Sequence, residues 1–455
     1  MSRDVRVDGA RVGEVGPAGA LTRRSGEPAL DAGGGALLPG LHDHHIHLMA
    51  LAAAGYSARC GPPAVHDHEG LARALAQAPV RAGWIRGVAY HESVTGPLDR
   101  TVLDAIRGDV PVRVQHRSGA CWSLNSAALV RIGPLPEGGD GVERSRSGEP
   151  TGRLFGLDAW LRSRLGADSP PDLGPVGAAL ARLGVTGVTD ATVTNDADAL
   201  ASFEAAARGD ALPQRLHVMG TLALPAPISP RVTRAAHKIV LTERDLPHPE
   251  ALADRLRAAH ELGRTVAVHC TTRVELVLAC AAFAIAGGGR GDRIEHASVA
   301  PPEAVDLLAE LGLTVVTQPN FVAERGDAYR RDVAADDQPW LYRAAGLCDA
   351  GVAVGGGTDA PFGDSDPWRA IRAAVERVDP DGQAFGADEA LSPERALALF
   401  TSPPIAPGDP PRRIETGADA DLVLLDRPWR AARTRLTSDF VRATWCGGVL
   451  VHDAT

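Results

Sequence analysis

A single lysine stands out among the basic residues of this 455-residue chain. All of its 47 basic residues are arginines except Lys238. A desolvated lysine can lose its proton and become a nucleophilic amine, whereas arginine stays charged. A neutral amine can also add carbon dioxide to form a carbamate, which is a carboxylate that binds metal ions. An exposed surface lysine is the simpler alternative, but the run His237-Lys238-Ile239-Val240-Leu241 favours a buried strand.

A histidine-rich run, His42-Asp43-His44-His45-Ile46-His47, lies near the N-terminus. Residues two apart on a strand point to the same side. His45 and His47 can therefore both face the interior, with Asp43 below them. The register is open at this point because His42 and His44 have the same spacing. A solvated histidine-rich loop is the alternative interpretation.

Further residues of metal-ligand type end strand-like runs later in the chain. They are His269 after Val266-Ala267-Val268, His296 after Arg293-Ile294-Glu295, and Asp359 after Val354-Gly355-Gly356-Gly357-Thr358. One histidine at a strand end is more often a hydrogen-bonded core residue than a ligand, but independent accidents rarely place so many at equivalent positions. Imidazole and carboxylate are suitable ligands for zinc and similar divalent ions.

The elements that must position these residues alternate between strand and helix. Most of the strand-like runs are followed by a helical stretch such as 249–262 or 302–311, and eight such units predict a closed (β/α)8 barrel of the TIM type. Catalytic residues of this fold lie at the C-terminal ends of the strands. The predicted barrel strands are Ala36–Leu38, Val185–Val188, Leu216–Met219, Lys238–Leu241, Thr265–Val268, Arg293–Ile294, Leu313–Val316 and Val352–Val354.

Both chain ends are rich in short strands, which predicts one composite domain. We expect residues 1–38 and 403–455 to form a β-sandwich. Residues 39–55 and 171–402 are expected to form the barrel. Residues 56–170 are predicted to form an inserted α+β lobe that covers the barrel mouth.

The composition favours an enzyme with a small-molecule substrate. The chain is 44% hydrophobic and carries a net charge of −10, which argues against nucleic acid as a partner. Its six cysteines show no disulfide or zinc spacing. The N-terminus has no signal-like apolar run, and the longest apolar stretch, 276–286, is too short to span a bilayer. We therefore expect a cytoplasmic protein without membrane contact, and a homodimer stays open.

Several motifs resemble the amidohydrolase superfamily. Pro39–Leu48 resembles its opening motif, and His269, His296 and Thr358-Asp359-Ala360 match the later strand-end ligands in order. The chain is most similar to the large branch that includes the N-substituted formamide deformylases. The remaining matching pieces are Gly417–Val423, Trp84–Gly87, Leu124–Leu129 and Glu149–Gly152.

This resemblance implies a binuclear metal centre. Lys238 would be carboxylated and bridge two divalent ions, for which Zn²⁺ is expected. His45 and His47 would hold one ion together with Asp359, and His269 and His296 would hold the other. The ions would bring the pKa of a bridging water towards neutrality and polarise a carbonyl.

The implied reaction is cleavage of a C–N bond in an amide, N-formyl or cyclic amide substrate by a metal-bridging hydroxide. Asp359 would act first as general base and then as general acid for the leaving nitrogen. Two other functions compete with this one. A mononuclear deaminase is the alternative within enzymes, although such relatives usually lack the lysine. A non-catalytic barrel used as a binding module is the other, although no ligand is missing here.

Substrate contacts are predicted from the loops after the last barrel strands and from the inserted lobe. The branch often has an Asp-Gly-His triplet in that lobe, where this chain has Ser118-Gly119-Ala120. His116 and Arg117, just upstream, are predicted to substitute for the missing histidine. The full set of predicted substrate contacts is Tyr90, His116, Arg117, Gln318 and Phe362.

Overall fold

The computed structural model describes residues 3–136, 141–165 and 170–454. Its strands are β1 (Arg3–Asp8), β2 (Arg11–Pro17), β3 (Leu37–Pro39), β4 (Leu41–Ile46), β5 (Ala58–Arg59), β6 (Ile85–Tyr90), β7 (Val112–His116), β8 (Cys121–Leu124), β9 (Val142–Arg144), β10 (Pro150–Phe155), β11 (Val185–Asp190), β12 (Arg215–Gly220), β13 (Val232–Val240), β14 (Val266–Cys270), β15 (Arg293–His296), β16 (Thr314–Thr317), β17 (Ala353–Gly356), β18 (Leu422–Leu425), β19 (Val441–Cys446) and β20 (Val449–Asp453).

Its helices are α1 (Leu48–Ala54), α2 (His68–Gln77), α3 (Arg100–Arg107), α4 (Ser126–Ile132), α5 (Asp158–Arg164), α6 (Gly174–Arg182), α7 (Ala197–Arg208), α8 (Pro249–Glu261), α9 (Arg273–Ala286), α10 (Pro302–Glu310), α11 (Asn320–Asp332), α12 (Ala344–Asp349), α13 (Pro367–Glu376), α14 (Pro393–Thr401) and α15 (Trp429–Ala432). The chain divides into two compact units, one of Met1–Leu48 with Leu173–Thr455 and one of Met49–Asp172. The assignment of the first unit to a barrel and a separate β-sandwich domain stays a prediction.

An eight-stranded parallel sheet dominates the first unit. Its strand order is β17-β16-β15-β14-β13-β12-β11-β4. The two edge strands of this order are β17 and β4, and the segment after β17 joins them. There Asp359 N donates to His45 O and His47 N donates to Ala360 O, each at 2.8 Å. Every residue of β4, β11 and β15 is buried, as expected for parallel strands that are covered on both faces. The predicted TIM-like barrel is confirmed.

One predicted barrel strand was placed incorrectly. The run Ala36–Leu38 lies largely in β3, which pairs antiparallel with β18 outside the barrel. The first barrel strand is instead β4, which begins at Leu41. The reason is that most positions of β4 are polar residues of metal-ligand type, so β4 lacks the apolar run that marks most of the other barrel strands.

The two chain ends meet in antiparallel sheets. β3 from the N-terminal segment joins a four-stranded sheet of order β20-β19-β18-β3. The hairpin of β1 and β2 contacts the C-terminal segment through backbone hydrogen bonds, in which Val12 N donates to Ala418 O at 2.8 Å and Gly417 N donates to Val12 O at 2.7 Å. The predicted pairing of both strand-rich ends is therefore present.

The second unit contains a six-stranded mixed sheet of order β5-β6-β7-β8-β10-β9. β6 and β7 pair in parallel, with Ile85 opposite Val112. Three of its helices begin at side-chain caps, since Asp67, Asp99 and Asn125 accept hydrogen bonds from the first turns of α2, α3 and α4. Across both units, none of the helices in the described ranges has the length and apolarity needed to cross a membrane.

Candidate metal centre

Four imidazoles from three different barrel strands form one cluster. His45 and His47 come from the end of β4, His269 from β14 and His296 from β15. The ring centroids are 5.3 Å apart for His45 and His47, 4.7 Å for His45 and His296, and 4.4 Å for His269 and His296. The strand ends thus bring together histidines that are up to about 250 residues apart in sequence.

Asp359, from the loop after β17, completes this cluster. Its Oδ1 atom lies 3.2 Å from His47 Nε2 and 3.5 Å from His45 Nε2. One ligand atom each of His45, His296 and Asp359 lies within 4.8 Å of the other two. Gly357 permits this approach, because a Cβ atom there would lie 2.5 Å from His45 Cβ. The arrangement can hold a divalent cation through nitrogen and oxygen donors.

The alternative histidine pair of β4 lies elsewhere. His42 and His44 pack against each other with ring centroids 4.5 Å apart, and His42 also contacts His217. Their Nε2 atoms bond to Thr189 Oγ1 at 2.9 Å and to Ser402 Oγ at 3.0 Å, respectively. Of the two registers that the sequence left open, the structure therefore brings His45 and His47 to the other ligand-type residues.

Three of the clustered imidazoles are oriented through their Nδ1 atoms. The pairs are His45 with Glu295 Oε2, His47 with Thr192 Oγ1 at 2.8 Å, and His296 with Gln318 Oε1 at 2.6 Å. A partner on one ring nitrogen fixes the ring orientation and leaves the other nitrogen as the ligand atom. Each of these rings therefore presents Nε2, and for His45 and His47 this atom faces Asp359.

Glu295 is the most important residue that the sequence analysis did not identify. Its side chain is fully buried, accepts from Arg293 Nε at 2.5 Å and lies 4.0 Å from Lys238 Nζ. Burial alone would raise the pKa of this carboxyl, but the charges of Arg293 and Lys238 and the hydrogen bond from His45 hold it well below its usual value. The sequence contained a signal for this residue: Glu295 is an acidic residue next to His296 in a run that was predicted to be a barrel strand.

Lys238 lies in the barrel wall with its amine enclosed. The residue is 3% exposed, and among the described residues its Nζ atom has no hydrogen-bond partner. Burial lowers the pKa of Lys238 to about 8, and the charge of Glu295 only partly offsets this effect. A buried amine without a partner is costly. The Lys238 Nζ atom therefore lies beside the cluster of candidate ligands without a hydrogen bond from any described residue.

The electrostatics favour the neutral form of three of these imidazoles and the ionised form of Asp359. Burial lowers the pKa of His45 to about 3, and it lowers the pKa values of His269 and His296 below their ordinary value as well. Burial would raise the pKa of Asp359, but the His47 hydrogen bond and the nearby imidazoles hold it below its ordinary value. Neutral imidazole and ionised carboxylate are the forms that bind metal ions.

The backbone is strained where ligands leave the strands. His296 and Asp359 have φ angles of 70° and 55°, in the left-handed region that L-residues rarely adopt. Strain of this kind persists only where the surroundings enforce it. Asp43 supplies part of that restraint, since its Oδ1 atom accepts from His45 N at 3.1 Å and from Thr358 N at 3.0 Å.

A capping box fixes the chain just after His269. Thr272 and Glu275 bond reciprocally to each other's backbone at the start of α9. The Glu275 carboxylate also accepts from Thr271 N at 2.7 Å. The turn from β14 into α9 is thereby defined within three residues of the histidine that it must position.

The predicted substrate contacts of the barrel differ in their surroundings. Phe362 lies beside the cluster, with its ring centroid 5.4 Å from that of His47. Gln318 is fully buried, and its Oε1 atom is bonded to His296 Nδ1. This contact gives Gln318 an orienting role for a ligand. A direct contact of either residue with substrate stays a prediction.

The three predicted contacts of the inserted lobe bond within that unit. Tyr90 OH donates to Gly96 O at 2.5 Å. His116 Nε2 lies 2.9 Å from Glu92 Oε2, and Arg117 N donates to Tyr90 O at 2.8 Å. Their roles towards substrate stay predictions.

Comparisons with known proteins identify the family of this chain. A model of the Amidohydrolase family matches residues 29–452. The chain is 28% identical, over 99% of its length and 95% of the relative, to an N-substituted formamide deformylase of Arthrobacter pascens. It is 26% identical, over 95% of its length and 92% of the relative, to the putative amidohydrolase YtcJ of Bacillus subtilis (strain 168). A solved structure of an uncharacterized metal-dependent hydrolase from Pyrococcus horikoshii OT3 is similar with a TM-score of 0.74 at 21% identity and 92% coverage of both chains.

Proposed function

Because the chain belongs to the amidohydrolase family, as its motifs predicted, and is a hydrolase of carbon–nitrogen bonds, we propose that it cleaves an amide, N-formyl or cyclic amide substrate at the cluster of His45, His296 and Asp359. The observation that carries this proposal is the approach of three ligand atoms to within 4.8 Å of one another beside a buried amine without a partner. The deformylase of Arthrobacter pascens is a relative whose name specifies an N-substituted formamide, which supports the N-formyl class.

The residues present fit a pair of divalent ions, for which we propose Zn²⁺. His45, His47 and Asp359 would hold one ion, and His269 and His296 would hold the other. The buried Lys238 Nζ atom, which has no hydrogen-bond partner among the described residues, supports this assignment, since such atoms are rare in folded proteins. Bound ions would supply Lewis-acid activation of a water molecule and of the substrate carbonyl.

We propose that Lys238 is carboxylated and joins the two halves of the site. Only the neutral amine can add carbon dioxide, and a pKa of about 8 makes that form accessible near neutrality. Carboxylation would replace an orphaned nitrogen by an anion with two oxygen donors. Arginine cannot undergo this reaction, because its guanidinium stays protonated.

Asp359 is the residue for which we propose proton transfer. Its carboxylate is ionised, and its Oδ1 atom faces the Nε2 atoms of His45 and His47. It would accept the proton of the attacking water and deliver it to the departing nitrogen, as general base and then general acid. Its neighbour His45 is buried, whereas the side chains of His47 and Asp359 stay 17% and 10% exposed, which leaves a path for water to this carboxylate.

Metal analysis combined with a substrate panel tests this function. We expect two divalent ions per chain, and turnover of amides, N-formyl amines or cyclic amides that is lost on chelation and restored by Zn²⁺. Lys238→Arg should abolish metal-dependent turnover. His237→Asn is the matched control, since the neighbouring side chain points to the other face of the strand and should leave turnover unchanged.

Other outcomes would count against the proposal. One ion per chain together with release of ammonia from an amino-substituted ring would favour the mononuclear deaminase. Absence of bound metal together with unchanged folding on chelation would favour a binding module. Full activity of Lys238→Arg would refute the bridging role. A cytoplasmic location and a homodimer remain predictions.

A further inference from the structure

One arginine near the candidate metal centre has no acidic partner. Helix α11 carries three arginines. Arg330 pairs with Asp379 at 2.9 Å and Arg331 pairs with Asp327 at 3.1 Å. Around Arg325, by contrast, no carboxylate oxygen of the described part of the chain lies within 4.0 Å. Its charge is therefore not neutralised by an ion pair.

Contacts place Arg325 next to the ligands. Its guanidinium donates to Phe362 O and lies 4.2 Å from the centroid of the Phe321 ring. The Phe362 ring in turn contacts His47 at a centroid distance of 5.4 Å. A single residue thus separates Arg325 from a candidate metal ligand, at the end of the barrel where the ligands lie.

The nearest carboxylates are engaged with other groups. Glu324 Oε1 accepts from Asn320 Nδ2 at 3.2 Å and from Asp364 N at 3.0 Å. Burial raises the pKa of Glu324, which favours its neutral form. Asp364 pairs with Arg369. The charge of Arg325 acts on Glu324 at longer range, but neither carboxylate forms an ion pair with Arg325.

We propose that Arg325 binds a carboxylate of the substrate, so that the enzyme acts on acidic amides rather than neutral ones. This inference rests on the proposed function of the same site. One hydrogen bond to Phe362 O leaves most donors of the planar fork for a carboxylate, which guanidinium groups bind in bidentate fashion. Stacking on Phe321 holds the fork in place before substrate arrives.

The test uses substrate pairs that differ by one carboxylate. N-formylphenylalanine is compared with N-formylphenethylamine, and in this pair the carboxylate lies on the amine side of the amide bond. N-benzylsuccinamate is compared with N-benzylbutyramide, and in this pair it lies on the acyl side. The variants are Arg325→Gln, which keeps a donor for Phe362 O, and Arg325→Lys. Arg331→Gln is the matched control on the same helix, because its ion pair with Asp327 is exposed.

We expect the metal-loaded wild type to prefer one acidic member by at least about tenfold in kcat/KM, since hydrogen bonds to charged groups are strong. Arg325→Gln should raise KM for that acid by about tenfold or more, with kcat and the neutral partner unchanged. Arg325→Lys should be intermediate, and it preserves the test if the Gln variant does not fold. Arg331→Gln should match wild type.

Titration calorimetry of the same acids with metal-free protein separates this inference from the proposed function. If wild type hydrolyses no compound, the proposed function fails, and the calorimetric affinity still decides the role of Arg325. Weaker binding of the acid by Arg325→Gln, and not by Arg331→Gln, supports the inference. Equal effects of Arg325→Gln on acidic and neutral partners, or no effect on either, overturn it.

Discussion

Replacing Lys238 by methionine should stabilise the metal-free protein while it abolishes turnover. The Lys238 amine is buried without a hydrogen-bond partner among the described residues, and burial lowers its pKa from 10.5 to about 8, an effect that the charge of Glu295 at 4.0 Å only partly offsets. Each pKa unit corresponds to about 1.4 kcal/mol, so the charged amine destabilises the fold by about 3 kcal/mol at neutral pH. Methionine fills a similar volume without charge, and Glu295 keeps its contacts with Arg293 and His45.

Linkage fixes the sign of the pH dependence. The unfolded chain keeps the lysine proton up to the ordinary pKa of 10.5, whereas the folded chain releases it near 8. Between these values the unfolded state binds more protons, so the free energy of unfolding of wild type rises with pH. The advantage of Lys238→Met is therefore full below about pH 8 and disappears towards pH 10.5.

Differential scanning calorimetry of both proteins, stripped of metal and in carbon dioxide-free buffer, measures this difference. Because the chain has one lysine, no other amine side chain changes the comparison. Ile239→Val is the control, since this buried neighbour should lose about 1 kcal/mol at every pH. A stability difference between Lys238→Met and wild type that stays constant from neutral pH to 10.5 would refute the reasoning.

Three further perturbations probe the same architecture. Glu295→Gln should weaken Zn²⁺ binding by about 10- to 100-fold, because His45 loses its anionic partner. Competition with a chromogenic chelator measures this affinity. The control is Glu389→Gln, which removes a carboxylate paired with Arg343 and should leave Zn²⁺ affinity unchanged. Gly357→Ala places a methyl group 2.5 Å from His45 Cβ, so it should cost about 1–3 kcal/mol of stability and lower the metal content. In the control Gly289→Ala, the added methyl group has no atom within 4 Å, and both stability and metal content should stay unchanged. Chelation should lower the thermal midpoint of wild type in proportion to the logarithm of free Zn²⁺, and a midpoint independent of Zn²⁺ would contradict a folded-state metal site.

The barrel could be predicted from the sequence because most of its strands contain a locally apolar run. Runs such as 185–188 and 266–268 are buried on both faces, so their composition alone marks them. The first strand could not be found in this way, because its polar residues are the candidate ligands. The antiparallel partner of Leu37–Pro39 lies at Leu422–Leu424, and such distant pairing leaves no local signal.

The candidate ligands could be predicted because each ends a strand, and strand ends of a parallel barrel meet at one edge. The residues that orient those ligands could not. Thr192 and Gln318 bond to His47 and His296 through side chains, and such contacts depend on rotamers and register. Glu295 follows the same rule, since its partner His45 is 250 residues away.

The seam between β4 and the segment after β17 has a consequence for biosynthesis. His45 O and His47 N are hydrogen-bonded to the backbone of Asp359 and Ala360. During synthesis, β4 therefore lacks this partner until about 300 further residues have been made. A nascent chain that ends before Ala353 has neither the closing hydrogen bonds nor the acidic ligand. An ion held as proposed could therefore bind only late, after most of the polypeptide has left the ribosome. Until then the exposed edge of β4 is open to mispairing.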